Sequence, residues 1–216
     1  FATAGLAVTA LAEALRPHIR DGVIAPAALA AGSAVPAQMR AALAQTDVFR
    51  TLIVVGADGR VVADGTDANS SVGLDVSDRG YFQAHRDTPD AGLRISPPLL
   101  SRVGRGWFVA VSRRLEDAAG RFAGVVWAAI DLGYFDAFYA TLDIGTEGTV
   151  TLWSRDGVVL ARHPRDDALM RDPRRHTARV PTVTGGVTRT LVGPSPLDGR
   201  PRILAVRAVA GFPLSV

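Results

Sequence analysis

The sequence contains no cysteine and no lysine. Without cysteine there is no disulfide framework and no thiolate metal site, a composition compatible with an oxidising compartment without requiring one. All 24 basic residues are arginine, a usage that fits the abundant alanine and glycine of a GC-rich coding sequence better than any chemical demand. Aromatic residues are scarce, at 6%. A nucleic-acid surface needs a basic stripe interleaved with stacking aromatics. Here the net charge is +3 and the pI about 10.1, yet the arginines are spread along the chain. The tight cluster Arg171, Arg174, Arg175 and His176 contains no aromatic, so no nucleic-acid partner is expected. There is also no signal peptide and no run of about eighteen apolar residues, so no segment reads as membrane-spanning.

Catalytic signatures are equally sparse. The chain has no G-x-S-x-G elbow, Walker loop, H-E-x-x-H helix or Rossmann glycine fingerprint. Gly104-Arg105-Gly106 is a turn without a third glycine. His163 with Asp166 and Asp167 has the look of a metal cluster but sits in a Pro-Arg loop after a strand, where a polar loop is the simpler reading. No catalytic residue, metal or cofactor is expected, and the chain is read as a non-enzyme.

What is present is a sizeable core, with 48% hydrophobic residues in 216. Residues 3–21 carry a loose helical stripe, Leu6, Leu11, Leu15 and Ile19. Pro26 to Pro36 breaks it, and a second packing helix is predicted from Pro36 to about Gln45. Then TLIVVGADGRVVADG (51–65) places Asp58-Gly59 between two strand-like runs, a hairpin signal. TLWSRDGVVLARH (151–163) repeats the plan around Asp156-Gly157. A second echo pairs AAGRFAGVVWAAI (118–130) with LDGRPRILAVRAV (197–209). The doubled plan predicts an α+β chain of two tandem antiparallel-sheet modules, with helices on one side of each sheet and the closing strands central. The expected parts are an N-terminal helical stalk (1–47), a ligand-binding module (48–142) and a second module (143–216), joined near 142–148 after a helix over 132–142.

The most informative stretch is SDRGYFQAHR (77–86) with the strand runs that follow it, LRISPPLL (93–100), GWFVAVSRRL (106–115) and RFAGVVWAAID (121–131). Ser77 or Asp78 is suited to cap a helix. On that helix Tyr81 and His85 share a face, as do Arg79 and Phe82. Arginine offers a planar fork for a carboxylate, and an aspartate ending a buried strand, Asp131, suits an ammonium. Both residues have a plainer reading, Arg79 as an ion pair with Asp75 or Asp78 and Asp131 as an ordinary ion pair. Trp107, Val109, Val111 and Arg113 share one face of their strand and Phe108, Ala110, Ser112 and Arg114 the other, while Trp127, Ala129 and Asp131 share a face of the last strand; which faces line a pocket is left open.

Taken in order, Asp78-Arg79-x-Tyr81-Phe82, Ile95-Ser96-Pro97-Pro98, Ser112-Arg113-Arg114, Gly120-x-Phe122-x-Gly124-Val125-Val126 and Ala129-Ile130-Asp131-Leu132 resemble the double Cache, PAS-like sensor domains of bacterial receptors. The resemblance spans about Phe49 to Val216. It implies two tandem PAS-like modules along a long N-terminal helix and a periplasmic location. It also implies flanking transmembrane helices in the full-length protein and an output histidine kinase, diguanylate cyclase or chemoreceptor. Phe1 and the strand-like Leu-Ser-Val end fit an excised piece. Amino-acid-sensing members carry Arg-x-Trp-Tyr on the pocket helix and an aspartate on the closing strand. Arg79 and Asp131 match, whereas Tyr81, Phe82 and Leu74 depart from that pattern. The expected ligand is therefore a small amine or carboxylate metabolite, met by Arg79, Tyr81, Phe82, His85, Trp107, Arg113, Trp127 and Asp131. A homodimer through the N-terminal helix is expected. The alternative is a ligand-free structural or dimerisation module.

Overall fold

The apolar stripe at the N-terminus packs on the chain's own sheet. In the computed structural model, which describes residues 1–66, 70–104, 106–171, 183 and 187–216, helix α1 (Ala2–Leu15) buries Ala4, Val8, Leu11 and Leu15. The helix stops well short of residue 21 because Pro17 lacks an N–H and turns Arg16–His18 into a 3₁₀ turn. A short hairpin of β1 (Ile19–Arg20) and β2 (Val23–Ile24) follows. Next is α2 (Ala34–Ala44), which starts two residues before Pro36 and holds that proline in its first turn, where a missing N–H is harmless. Arg105, Arg174, Arg175 and His176 lie outside the described residues.

The chain divides into two compact units, Phe1–Asp131 and Leu132–Val216. In the first, β3 (Phe49–Gly56), β4 (Val61–Asp64), β5 (Leu93–Ile95), β6 (Leu99–Leu100), β7 (Trp107–Glu116) and β8 (Phe122–Asp131) make one antiparallel sheet. Its order is β4-β3-β8-β7-β5, with β6 also on β7. The run LRISPPLL is split into β5 and β6, since Pro97 and Pro98 cannot donate to a ladder. Helices cover both faces of this sheet, not one. Helix α1 lies on β7, β8 and α2, and α2 lies on β3, with Leu11, Met39 and Leu52 lining one cavity among them. On the other face α3 (Gly80–Asp87) joins a core of Ile53, Phe82, Phe108, Val125 and Trp127. Two covered faces explain why β8 is apolar without alternation from Ala123 to Ile130: every one of those residues is buried. They also explain why the first 47 residues are part of this unit and not a separate stalk.

Two glycines hold the strands in place. A Cβ at Gly124, where φ is +135°, would stand 1.9 Å from the Val55 carbonyl oxygen. Gly59 supplies the positive φ of the Asp-Gly turn, and a Cβ there would stand 2.5 Å from that of Ser77. Its carbonyl accepts the Val76 N–H at 2.8 Å, which docks the segment leading into α3 onto the hairpin.

In the second unit α4 (Leu132–Tyr139) lies on β10 (Val159–His163). The His163 Nδ1 stands 2.6 Å from Asp136 Oδ1. These contacts put the helix with the second unit, so the division comes at Asp131/Leu132, ahead of the expected 142–148. β9 (Val150–Ser154) pairs with β10 across the Asp156-Gly157 turn and with β13 (Leu214–Ser215). Helix α5 (Asp167–Arg171) follows β10. β11 (Thr188–Pro194) and β12 (Pro201–Arg207) form a separate hairpin. The closing strand of this unit is therefore not central as β8 is. Val192 and Ile203 sit opposite each other on the hairpin at 82% and 77% exposure. Among the described residues no helix is long and apolar enough to cross a membrane.

Candidate functional site

A bulge in β3 opens the site. Phe49 pairs with Ile130 and Thr51 with Ala129, so Arg50 is the extra residue between them. Bulges re-aim side chains beside sites, and Arg50 and Thr51 both line one recess on the α3 side of the sheet. Its other walls are Tyr81 at the start of α3, Arg79 before it, Phe108 and Trp127 on the sheet, and Ser101 to Val103. The recess is narrow, enclosing about 50 Å³, and about 550 Å³ only when the open space at its mouth is counted.

Three rings and a cation form a row along one wall. Tyr81 and Trp127 lie 5.4 Å apart, and Phe108 stacks on Trp127 at 5.4 Å with 15° between planes. The Arg50 guanidinium sits 5.2 Å over Phe108. Such rows add roughly 0.5–1.5 kcal/mol per pair beyond burial. Trp127 is buried, and its Nε1–H has no partner among the described residues. Buried donors are almost always paired, so this one is an exception. Burial pushes the Tyr81 phenol well above its usual pKa, so it stays a neutral hydroxyl.

The charges around the recess are unevenly engaged. Arg50 Nη1 donates to Asp131 Oδ2 at 2.8 Å. Arg102 is exposed and binds the Asp78 carboxylate and the Asp75 carbonyl. Burial would raise the pKa of Asp64, but hydrogen bonds from Ser71, Thr66 and Thr51 outweigh it and hold the carboxyl below its usual value. Its Oδ1 accepts from Thr51 Oγ1 at 2.8 Å and from the Thr66 N–H and hydroxyl at 3.0 and 2.9 Å. Its Oδ2 accepts from the Ser71 hydroxyl at 2.5 Å and the Ser71 N–H at 3.4 Å. Arg79 differs from the other two arginines of the recess. Its Nη2 donates to the Leu100 carbonyl at 2.9 Å, and among the described residues no carboxylate comes within ion-pair distance. Burial, with Arg102 nearby, lowers its pKa.

Of the residues the sequence singled out, Arg79, Tyr81 and Trp127 line the recess. Asp131 shares the face of Trp127 but stands behind Arg50, outside the lining. Phe82 is core, edge-on to Phe122 at 5.5 Å. His85 is wholly buried away from the recess, its Nε2 3.0 Å from Ser112 Oγ. Trp107 and Arg113 share the alternation of Val109 and Val111, opposite to Phe108, and so lie on the other face of β7. The expected cap is also absent. The residue before α3 is Arg79, with no side-chain cap, because Asp78 is held by Arg102 and the Ser77 hydroxyl is engaged by Asp75.

Arg50, Thr51, Asp64, Ser71 and Arg102 were not anticipated, and Phe108 only as a member of a strand face left open. The one available signal was Arg50 itself, a charge at the start of an otherwise apolar strand. In the second unit Asp166 Oδ1 accepts the Ala168 and Leu169 N–H groups at 3.0 Å, and Asp167 pairs with Arg165. Among the described residues no cluster of three metal-ligating side chains forms.

Residues 132–216 match the family model dCache_1_like, described as a histidine kinase sensor domain. No curated protein matches the sequence. Among solved structures, the extracellular domain designated histidine kinase rpHK1S-Z16 is 28% identical with a TM-score of 0.71, covering 98% of this chain and 82% of that one. The ligand-binding domain of the Pseudomonas fluorescens chemoreceptor CtaA, solved with L-isoleucine, is 20% identical with a TM-score of 0.63, over 98% and 82%. The sensory domain of the Campylobacter jejuni chemoreceptor Tlp3, solved with isoleucine, is 14% identical with a TM-score of 0.55, over 78% of this chain and 64% of that one. The last two likenesses are of fold. With the two-unit α+β fold, these matches make the chain similar to the sensor domains that histidine kinases and chemoreceptors carry, the family model itself covering residues 132–216.

Proposed function

We propose that the recess of the first unit is the ligand site of this sensor domain, and that it takes a small amine or carboxylate metabolite. The observation that carries the reading is the Trp127 Nε1–H, buried and without a partner in the wall of a recess that also holds Arg79. Amino acids bound to the CtaA and Tlp3 domains support a small-molecule role. Occupancy shifts the balance between two conformations by the ligand's differential affinity for them. In the full-length receptor the domain stands in the periplasm between transmembrane helices. A homodimer through α1 would use its outward face, where Leu6 is 73% exposed, because Val8, Leu11 and Leu15 are buried within the first unit. The chain itself carries no turnover.

A thermal-shift screen of small metabolites tests the site. A ligand at a hundredfold over its Kd adds about 2.7 kcal/mol, and Trp127→Phe, which keeps the ring and removes the N–H, weakens it. A ligand whose stabilisation is indifferent to Trp127→Phe and to Arg79→Gln binds elsewhere.

A further inference from the structure

The charges in the recess select among ligands, given that the recess is the ligand site. Among the described residues its lining holds three arginines, Arg50, Arg79 and Arg102, and one carboxylate, Asp64. Two of the arginines are matched by acids of the chain: Arg50 by Asp131 at 2.8 Å and Arg102 by Asp78. A carboxylate has about four lone-pair positions. Asp64 already accepts five hydrogen bonds, from Thr51, Thr66 and Ser71, so it has none left for an ammonium. Asp131, the residue best placed in sequence to read an amine, accepts from Arg50 and lies outside the lining. The recess is lined by one guanidinium that makes no ion pair among the described residues, Arg79, and by Trp127, whose buried N–H has no partner among them.

We infer that the ligand is a small carboxylate without an ammonium group, bearing a second acceptor such as a 2-oxo group or a second carboxylate. Its carboxylate meets Arg79, and the second acceptor takes the Trp127 N–H. The apolar part lies on the row of Tyr81, Trp127 and Phe108. An ammonium placed in the same recess would meet guanidiniums and a filled carboxylate, an uncompensated desolvation. This separates the chain from a receptor that reads both ends of an amino acid.

The test uses matched pairs with one carbon skeleton and titration calorimetry on the 216-residue chain. The pairs are 3-methyl-2-oxobutanoate against L-valine and succinate against L-aspartate. In at least one pair the amine-free acid binds tenfold or more tightly than its amino counterpart. Arg79→Gln weakens that acid at least tenfold, and Asp131→Asn, which releases Arg50, leaves it unchanged or tightens it. If the amino acid binds equally well or better, or Asp131→Asn removes binding, the inference is wrong. If neither pair binds but a wider screen yields an amine or a neutral ligand sensitive to Trp127→Phe, the charge argument falls and the recess remains the site. If nothing binds, both fall.

Discussion

Acid should destabilise the first unit through one residue, His85. The side chain is 0% exposed, with Nε2 3.0 Å from Ser112 Oγ and Nδ1 buried without a partner among the described residues. Burial pushes its pKa down to about 4, opposed by the Ser112 hydrogen bond and reinforced by Arg94, Arg114 and Arg113. In the unfolded chain the imidazole titrates near 6.5. Between those values the unfolded state binds the extra proton, so stability rises with pH. The contribution is whole above pH 6.5 and is lost as pH falls toward 4. The full shift corresponds to roughly 3 kcal/mol, and the part lost between pH 7 and pH 5 to about 2 kcal/mol. The assay is urea unfolding of wild type and His85→Gln at both pH values. Glutamine fills similar space and can still reach Ser112, but it does not titrate. The stability gap between the two proteins should therefore narrow by about 2 kcal/mol at pH 5, with the wild type losing more. A gap that stays constant to within about 0.5 kcal/mol, the scatter expected of independent sites, would refute the reasoning.

Other outcomes follow from single contacts. Gly124→Ala, whose Cβ would stand 1.9 Å from the Val55 carbonyl, should abolish soluble folded protein. Gly80→Ala, with nothing within 4 Å, should be neutral or stabilise by up to about 1 kcal/mol in a thermal melt. Asp64→Ala strands the hydroxyls of Thr51 and Ser71 and should cost about 1–3 kcal/mol by urea unfolding at pH 7. Replacing the exposed pair Val192 and Ile203 with threonine should change stability by no more than about 0.5 kcal/mol in the same assay.

Local chemistry made much of the fold legible. Both Asp-Gly turns, β7, β8 and the helix after Asp131 can be read from glycine, periodicity and apolar runs, because those signals act over a few residues. The covering of the sheet could not be read this way. The apolar run of β8 required two covered faces, but nothing local said that α1 supplies the second. At the site, Arg79, Tyr81 and Trp127 were legible as polar or amphipathic side chains on elements that meet. Trp107 and Arg113 were not separable from Phe108, since strand alternation gives two faces without saying which is which. Arg50 and Asp64 were hidden for a different reason. A bulge is a property of the pairing between two strands, and the five hydrogen bonds on Asp64 come from Thr51, Thr66 and Ser71, which the hairpin brings together. Asp131 was read as a ligand contact or an ion pair, and the choice turned on the bulged arginine.

The central claim is that a small molecule binds beside Trp127. Replacing Trp107 and Trp153 with phenylalanine leaves Trp127 as the single tryptophan of the three in the chain. Its fluorescence can then be titrated with a ligand from the thermal-shift screen. The account predicts a saturable change in Trp127 emission with the same Kd that calorimetry gives. A ligand that stabilises the protein yet leaves Trp127 silent, while a variant retaining only Trp153 responds, would contradict it.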